Sequence, residues 1–383
     1  MKITDVTTYL CGNPWKNWLF IKLDTDEGIS GIGEGTLNAF GRTVEAAIME
    51  LRPRFIGLDP FQIETLVQRM TRDVYSEGGQ IHGCAVAAVE MACWDIIGKA
   101  VGQPIHNLLG GRYHDKLRAY ANGWYRGERT PEAFAEGARE VVRRGYTALK
   151  FDPFGVAYRV TDRRDEDLAI AIVEAVREAV GPDVDLMIEG HCRFSVASGV
   201  RIGERLERFH PAWFEEPTPH QDIDAVVKVA RHLSVPIATG ESFSSVHQFA
   251  ELLSRNAVHI LQPEPLNLGG LWAARKVIGM ADAFYGVVAP HNAQGPVATA
   301  ACVQLGAACP NFFVQEVFDE FNVDWEHEII DYPVEIIDGF VSVPERPGLG
   351  IELNLEEIAR HPYQEHNFLP LFAEGWQRRI GDQ

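Results

Sequence analysis

Residues 184–241 read VDLMIEGHCRFSVASGVRIGERLERFHPAWFEEPTPHQDIDAVVKVARHLSVPIATGE, and this stretch decides the fold. Three short apolar runs stand out: 184–189 (VDLMIE), 211–215 (PAWFE) and 236–240 (PIATG). Runs of this length at a regular pitch, with helix-length segments between them, read as buried parallel strands. Working outward, similar runs lie at 117–123 (LRAYANG), 146–151 (YTALKF), 257–262 (AVHILQ), 285–290 (YGVVAP) and 312–316 (FFVQE). Amphipathic stretches at 132–144, 166–180, 222–232, 244–254 and 270–283 lie between neighbours. Eight strands alternating with helices predict an α/β chain whose parallel sheet closes into a TIM-type barrel. A doubly wound open sheet is the alternative, but the phosphate-cradling GxGxxG expected after its first strand is missing. The Gly-rich GIGEG at 31–35 sits well before that strand and opens no helix.

The flanks read differently. Segments Lys2–Leu10, Asn17–Leu23 and Ile29–Gly35 are strand-like, with a turn at Thr25-Asp26-Glu27-Gly28, and helical patterns follow at 43–56, 61–75 and 83–100. The last of these is apolar on most faces, as a helix buried between layers should be. Beyond Glu316 the barrel rhythm breaks, and VEIIDGFVSVP and PGLGIELN are again strand-like. The division expected is an α+β N-terminal domain at 1–115, the barrel at 116–317, and a segment at 318–383 that returns to the N-terminal domain.

Length and composition bound the function. A chain of 383 residues with 46% apolar content suits a barrel plus a smaller domain. Lys+Arg 35 against Asp+Glu 54 gives a net charge of −19, which argues against nucleic-acid binding through phosphate neutralisation. No run is long enough to span a bilayer, and the N-terminus MKITDVTTYL lacks signal-peptide character. The six cysteines show no CxxC spacing, as expected of reduced thiols in a cytoplasmic protein.

Barrel active sites collect at the C-terminal ends of strands. Glu189, Glu215 and Glu241 close three consecutive strands at equal spacings of 26 residues, which predicts equal height on adjacent strands. Taken singly each could be a solvated strand-end acid. Brought together, three carboxylates repel unless a cation lies among them, and hard oxygen donors favour Mg²⁺, with Mn²⁺ able to substitute. His291 ends the seventh strand candidate, and Glu264 follows the sixth, so the two can pair as an oriented acid–base couple. His191 projects from the loop after Glu189. Lys150 and Arg193 are cations that could meet a substrate carboxylate, and Glu316 ends the last strand as an orienting group. Cys192 has no evident base and reads as filler.

These residues together resemble the enolase superfamily, and within it the acid-sugar dehydratases of the mandelate racemase group. DTDEGISGIGEG and AAVEMACWDIIGKAVGQPIHNLLGG look like its capping domain and junction. FEEP (214–217), TGES (239–242), QPEPLNLGG (262–270), APHNAQGP (289–296) and PGLGIEL (347–353) look like its barrel signatures and closing tail. The resemblance implies a capping domain, a (β/α)₇β barrel, an essential Mg²⁺ and removal of the proton α to a carboxylate; enolase-type sites with a Lys or His base are themselves a standard case. Carried over, Glu189, Glu215 and Glu241 match the metal ligands, His291 and Glu264 the basic dyad, and His191 the general acid of galactonate-dehydratase-like members. Three departures are visible. Glutamate replaces the usual aspartate at Glu189 and at Glu264, and Lys150-Phe151-Asp152 replaces Lys-x-Lys, which disfavours a racemase.

The function expected is dehydration of a sugar acid to a 2-keto-3-deoxy acid, with a sugar-acid lactone cycloisomerase or epimerase as the enzymatic rival and a silent ligand-binding barrel as the non-enzymatic one. Specificity is expected from Trp15, Lys16 and Trp18 in NPWKNW and from the segment around Tyr75-Ser76-Glu77. The resemblance also implies a homo-oligomer.

Overall fold

The computed structural model describes residues 1–378. Positions 379–383, the end of the expected closing segment, lie outside the described residues. Strands β1 (Ile3–Cys11), β2 (Trp18–Thr25) and β3 (Ser30–Glu34) form an antiparallel sheet in that order. Helices α1 (Gly41–Phe55) and α3 (Gly79–Val101) pack on it, and α2 (Ile63–Met70) packs against both of them. The glycines of GIGEG serve close packing. A Cβ on Gly33 would lie 2.0 Å from the carbonyl oxygen of Ala88 on α3, so only glycine lets the helix approach β3 so closely.

Helix α3 is buried from Cys84 to Gly98, and its two acids tie the layers together. Glu90 accepts the N–H groups of Leu271 (2.9 Å) and Trp272 (2.8 Å) at the start of a barrel helix. Asp95 accepts those of Ile32 (3.0 Å) in β3 and Leu349 (2.8 Å) in PGLGIEL. Burial pushes the Glu90 carboxyl up to about 7 and that of Asp95 to about 6.

The eight apolar runs all become strands: β4 (Lys116–Ala121), β5 (Ala148–Phe151), β6 (Asp185–Glu189), β7 (Trp213–Glu215), β8 (Ile237–Thr239), β9 (Ile260–Leu261), β10 (Val287–Val288) and β11 (Gln315–Val317). Each pairs in parallel with its neighbour from β4 to β10. β11 pairs in parallel with β4, and a bridge from Val288 to Phe312 closes the ring. Tyr120, Ala148, Met187, Trp213, Ala238, Ala289 and Val314 fill its interior, with Tyr120, Met187 and Trp213 supplying most of the bulk.

Helices cover the outside after each of the first seven barrel strands, and the architecture is (β/α)₇β. Two of them, Val196–Leu206 and Pro296–Ala307, were not among the expected stretches; the first is amphipathic, burying Ser198, Gly199, Ile202, Gly203 and Leu206 along one face. The second is buried at all 12 positions, so no solvent-facing side imposes a polar stripe. The segment beyond 318 contacts both layers. Phe340–Ser342 pairs antiparallel with β4, the Trp376 indole N–H donates to the Gly155 carbonyl (3.2 Å), and Gly12 N–H donates to the His361 carbonyl (2.7 Å) beside β1. No helix among the described residues is long and apolar enough to cross a membrane.

Candidate active site

Glu189 and Glu215 terminate β6 and β7 and stand directly opposite each other in the parallel register. Equal sequence spacing does not carry Glu241 to the same level. Glu215 is level with Ala238, and Glu241 comes from the loop beyond β8, after Gly240 at φ 127°. One oxygen of each of the three nevertheless lies within 4.8 Å of the others. Trp213, in the barrel interior, donates its indole N–H to Glu215 Oε2 at 2.7 Å and fixes that carboxylate from below.

Lys150 is the cation inside this cluster. Its Nζ lies 2.6 Å from Glu215, 3.0 Å from Glu316 and 3.4 Å from Glu189. One ammonium does not neutralise so many acids. Glu189 Oε2 is buried without a hydrogen bond, and burial, then the Glu189 charge, pushes the Glu215 carboxyl up to about 7. Burial also raises Glu241 well above the carboxylate range. A buried carboxylate oxygen left without a hydrogen bond, in a cradle with more acids than cations, fits a divalent cation of the Mg²⁺ class.

His291 follows β10, and its Nδ1 lies 2.6 Å from Glu264 Oε2. The other face of the ring is turned inward, with Nε2 3.5 Å from Glu241 and 4.0 Å from Glu316. Burial would lower its pKa, but Glu241, Glu316 and Glu264 outweigh burial and bring it up to about 10. Glu316, on β11, accepts the backbone N–H of Asn292 (2.7 Å) and the amide of Asn122 (2.8 Å). Burial opposes its ionisation, yet Lys150 and His291 hold it at about 2.

His191 enters from the loop after β6, with Nδ1 2.6 Å from Asp152 Oδ2 and its backbone N–H 2.6 Å from Glu189 Oε1. Burial lowers its pKa against the pull of Asp152. Asp152, fully buried, also receives Arg193, whose other donors go to the carbonyls of Gly155 (2.7 Å) and Gly190 (3.0 Å). Burial would raise Asp152, but Arg193 and His191 hold it below the usual range. In the closed ring, β6 and β10 are four strands apart, so His191 and His291 rise from opposite walls.

A cavity of about 250 Å³ lies between them, lined by Trp15, Lys16, Lys150, His191, Glu241 and His291 among others. Lys16, buried and 3.3 Å from the Gln294 side chain, has its pKa lowered by burial despite the nearby glutamates. Two expected substrate contacts lie elsewhere. Arg193 is wholly committed to Asp152 and backbone carbonyls and is absent from the cavity wall. Trp18 is fully buried in β2 against Phe20 and Trp325, because it starts a central strand while Trp15 stays on the loop. The segment around Tyr75 does not line the cavity; Tyr75 is 95% exposed, and Gln80 reaches the wall instead. Asp152, Asn122 and Gln294 were not singled out by sequence reasoning as site residues. For Asp152 a signal existed: residues two apart on a strand share a face, so a residue at 152 belongs on the side of Lys150.

A family model described as enolase C-terminal domain-like matches residues 133–358, and one described as mandelate racemase/muconate lactonizing enzyme, N-terminal domain, matches 14–110. The chain belongs to the mandelate racemase/muconate lactonizing enzyme family of the enolase superfamily. Among curated members, D-gluconate dehydratase of Thermoproteus tenax is 36% identical over 362 residues, spanning 94% of this chain and 73% of that protein. D-gluconate/D-galactonate dehydratase of Picrophilus torridus is 34% identical over 362 residues, spanning 93% and 92%. The crystal structure of a mandelate racemase/muconate lactonizing enzyme from Sulfitobacter sp. superposes with a TM-score of 0.89 at 32% identity, covering 95% of this chain and 96% of that one. In this mandelate racemase family member, the cavity lies at the C-terminal ends of the barrel strands, beneath side chains from the β1–β2 loop.

Proposed function

We propose that the chain is a Mg²⁺-dependent aldonate dehydratase, acting on a sugar acid with hydroxyls on C2 and C3. The relatives named for D-gluconate and D-galactonate supply the substrate class. The observation that carries the reading is the pair of imidazoles on opposite walls of one cavity, each backed by a buried carboxylate at 2.6 Å. Glu189, Glu215 and Glu241 would hold the ion, which when bound supplies Lewis-acid stabilisation to the substrate carboxylate.

His291 Nε2 takes the C2 proton, while Glu264 at Nδ1 fixes the tautomer and stabilises the imidazolium. The electron pair of that C–H bond is first delocalised into the substrate carboxylate, and then forms the C2–C3 double bond when the C3–O bond breaks. Hydroxide is a poor leaving group, so His191 Nε2 delivers a proton and the group departs as water, from the face opposite the base. The enol then tautomerises to a 2-keto-3-deoxy acid. Lys150 and Lys16 place positive charge beside the carboxylate, and Glu316 holds Lys150 and the Asn292 backbone in place. The three-part division into 1–115, 116–317 and 318–383 is part of the same reading, with the first part capping the barrel mouth.

Purified protein with Mg²⁺, screened against a panel of aldonates and aldarates with semicarbazide detection, is expected to form a 2-keto-3-deoxy acid from at least one of them. His291→Asn is expected to abolish that product. A lactone or an epimer with no keto acid would replace this reading with cycloisomerisation or epimerisation.

A further inference from the structure

The loops that follow Glu189 and Glu215 hold a second set of donors that the dehydration does not use. Cys192, Glu216 and His220 each present one ligand atom, all within 4.8 Å of one another, and none of the three lines the cavity. Glu216 follows Glu215 directly but turns away from it, with φ 39°. Cys192 Sγ donates to Glu216 Oε2 and lies 3.6 Å from His220 Nδ1. The His220 ring is positioned edge-on to Phe243, with centroids 6.5 Å apart.

We propose that Cys192, Glu216 and His220 form a binding site for a thiophilic divalent cation such as Zn²⁺ or Cd²⁺, distinct from the carboxylate site. One thiolate, one imidazole and one carboxylate are the donors such ions select, whereas Mg²⁺ rejects sulfur. Zinc–sulfur and zinc–nitrogen bonds of about 2.3 and 2.0–2.1 Å at a tetrahedral angle separate sulfur from nitrogen by about 3.5 Å. The Sγ–Nδ1 distance already has that value. On binding, the Cys192 S–H bond breaks, its proton passes to solvent, and the sulfur electron pair forms the bond to the metal. No oxidation occurs, and water completes the fourth position.

The site is mechanically tied to the catalytic one. Glu216 Oε1 accepts the Thr239 hydroxyl (2.7 Å) and the Gly240 N–H (3.2 Å), immediately before Glu241. Cys192 N–H donates to the Glu216 carbonyl (2.7 Å), immediately after His191. Occupancy moves the Glu216 carboxylate away from the sulfur, so it acts on the segments that present Glu241 and His191. The ion is therefore expected to lower turnover without competing with Mg²⁺.

The test is a titration of the intact protein with Cd²⁺ in excess Mg²⁺, following the thiolate-to-cadmium charge-transfer band in the ultraviolet. Cys11, Cys84, Cys93, Cys302 and Cys309 are all buried, so the band reports on Cys192. The expected result is a band saturating at one Cd²⁺ per chain, absent in Cys192→Ser and requiring roughly tenfold more Cd²⁺ in His220→Gln. Circular dichroism checks that both variants are folded. Glu189→Gln is expected to keep the band, which separates this site from the magnesium site and from any failure of the dehydratase reading. No band in the wild type, or a band that survives Cys192→Ser, overturns the proposal.

Discussion

Glu264→Gln keeps the shape of a buried side chain while removing its charge from a 2.6 Å contact with His291 Nδ1. Glu264 also accepts the Leu266 N–H at 3.1 Å, and an amide oxygen can keep that bond, so the loop should stand. What is lost is the charge-assisted part of the imidazole contact, about 1.5–3 kcal/mol for a hydrogen bond to an ionised group. That corresponds to a fall of about one to two units in the His291 pKa. The sign follows from the role: a base works only when neutral, so activity rises with pH through its pKa. Removing Glu264 should therefore shift the acidic limb of the kcat/KM profile to lower pH by about one to two units, while the weaker base lowers the plateau by roughly 10- to 100-fold. The assay is steady-state kinetics across pH on an accepted aldonate, with exchange of the C2 proton in heavy water as a second readout. An unmoved limb with a plateau within about twofold of wild type would refute the dyad.

Other expectations concern the opposite wall and the scaffold. His191→Asn should slow dehydration by about 10²–10⁴-fold while C2 exchange in heavy water persists, since only the proton donor is gone. Asp152→Asn removes the charge that supports protonated His191, and burial then lowers that pKa further. Because an acid works only when protonated, the alkaline limb of the kcat profile should move to lower pH by about one to two units. Gly33→Ala places a methyl group 2.0 Å from the Ala88 carbonyl oxygen and should cost about 1–3 kcal/mol of stability, read by thermal denaturation.

The barrel was legible because parallel strands buried on both faces are written as short apolar runs, and all eight runs became strands. The acids at their ends were legible for the same reason, since the ends of barrel strands face one cavity. Sequence spacing does not report where a strand stops. Glu241 stands as far from Glu215 in sequence as Glu215 does from Glu189, yet it rises from a loop after Gly240. Side-chain direction in irregular segments was equally hidden. Arg193 lies two residues from His191, but the loop turns it inward onto Asp152. Trp15 and Trp18 sit in one motif, and the start of β2 sends the second into the core. Asp152 was visible only as a departure from Lys-x-Lys, and its partner His191 lies 39 residues away, beyond the reach of local pattern.

Titration calorimetry of Mg²⁺ into the purified, chelator-treated protein, alongside Glu189→Gln, Glu215→Gln and Glu241→Gln, probes the shared cradle most directly. One ion should bind per wild-type chain, with affinity reduced by roughly tenfold or more in each variant, because losing one anionic donor leaves the dication undercoordinated. Heat signatures showing no uptake of Mg²⁺ or Mn²⁺, or uptake indifferent to all three substitutions, would contradict a common metal site.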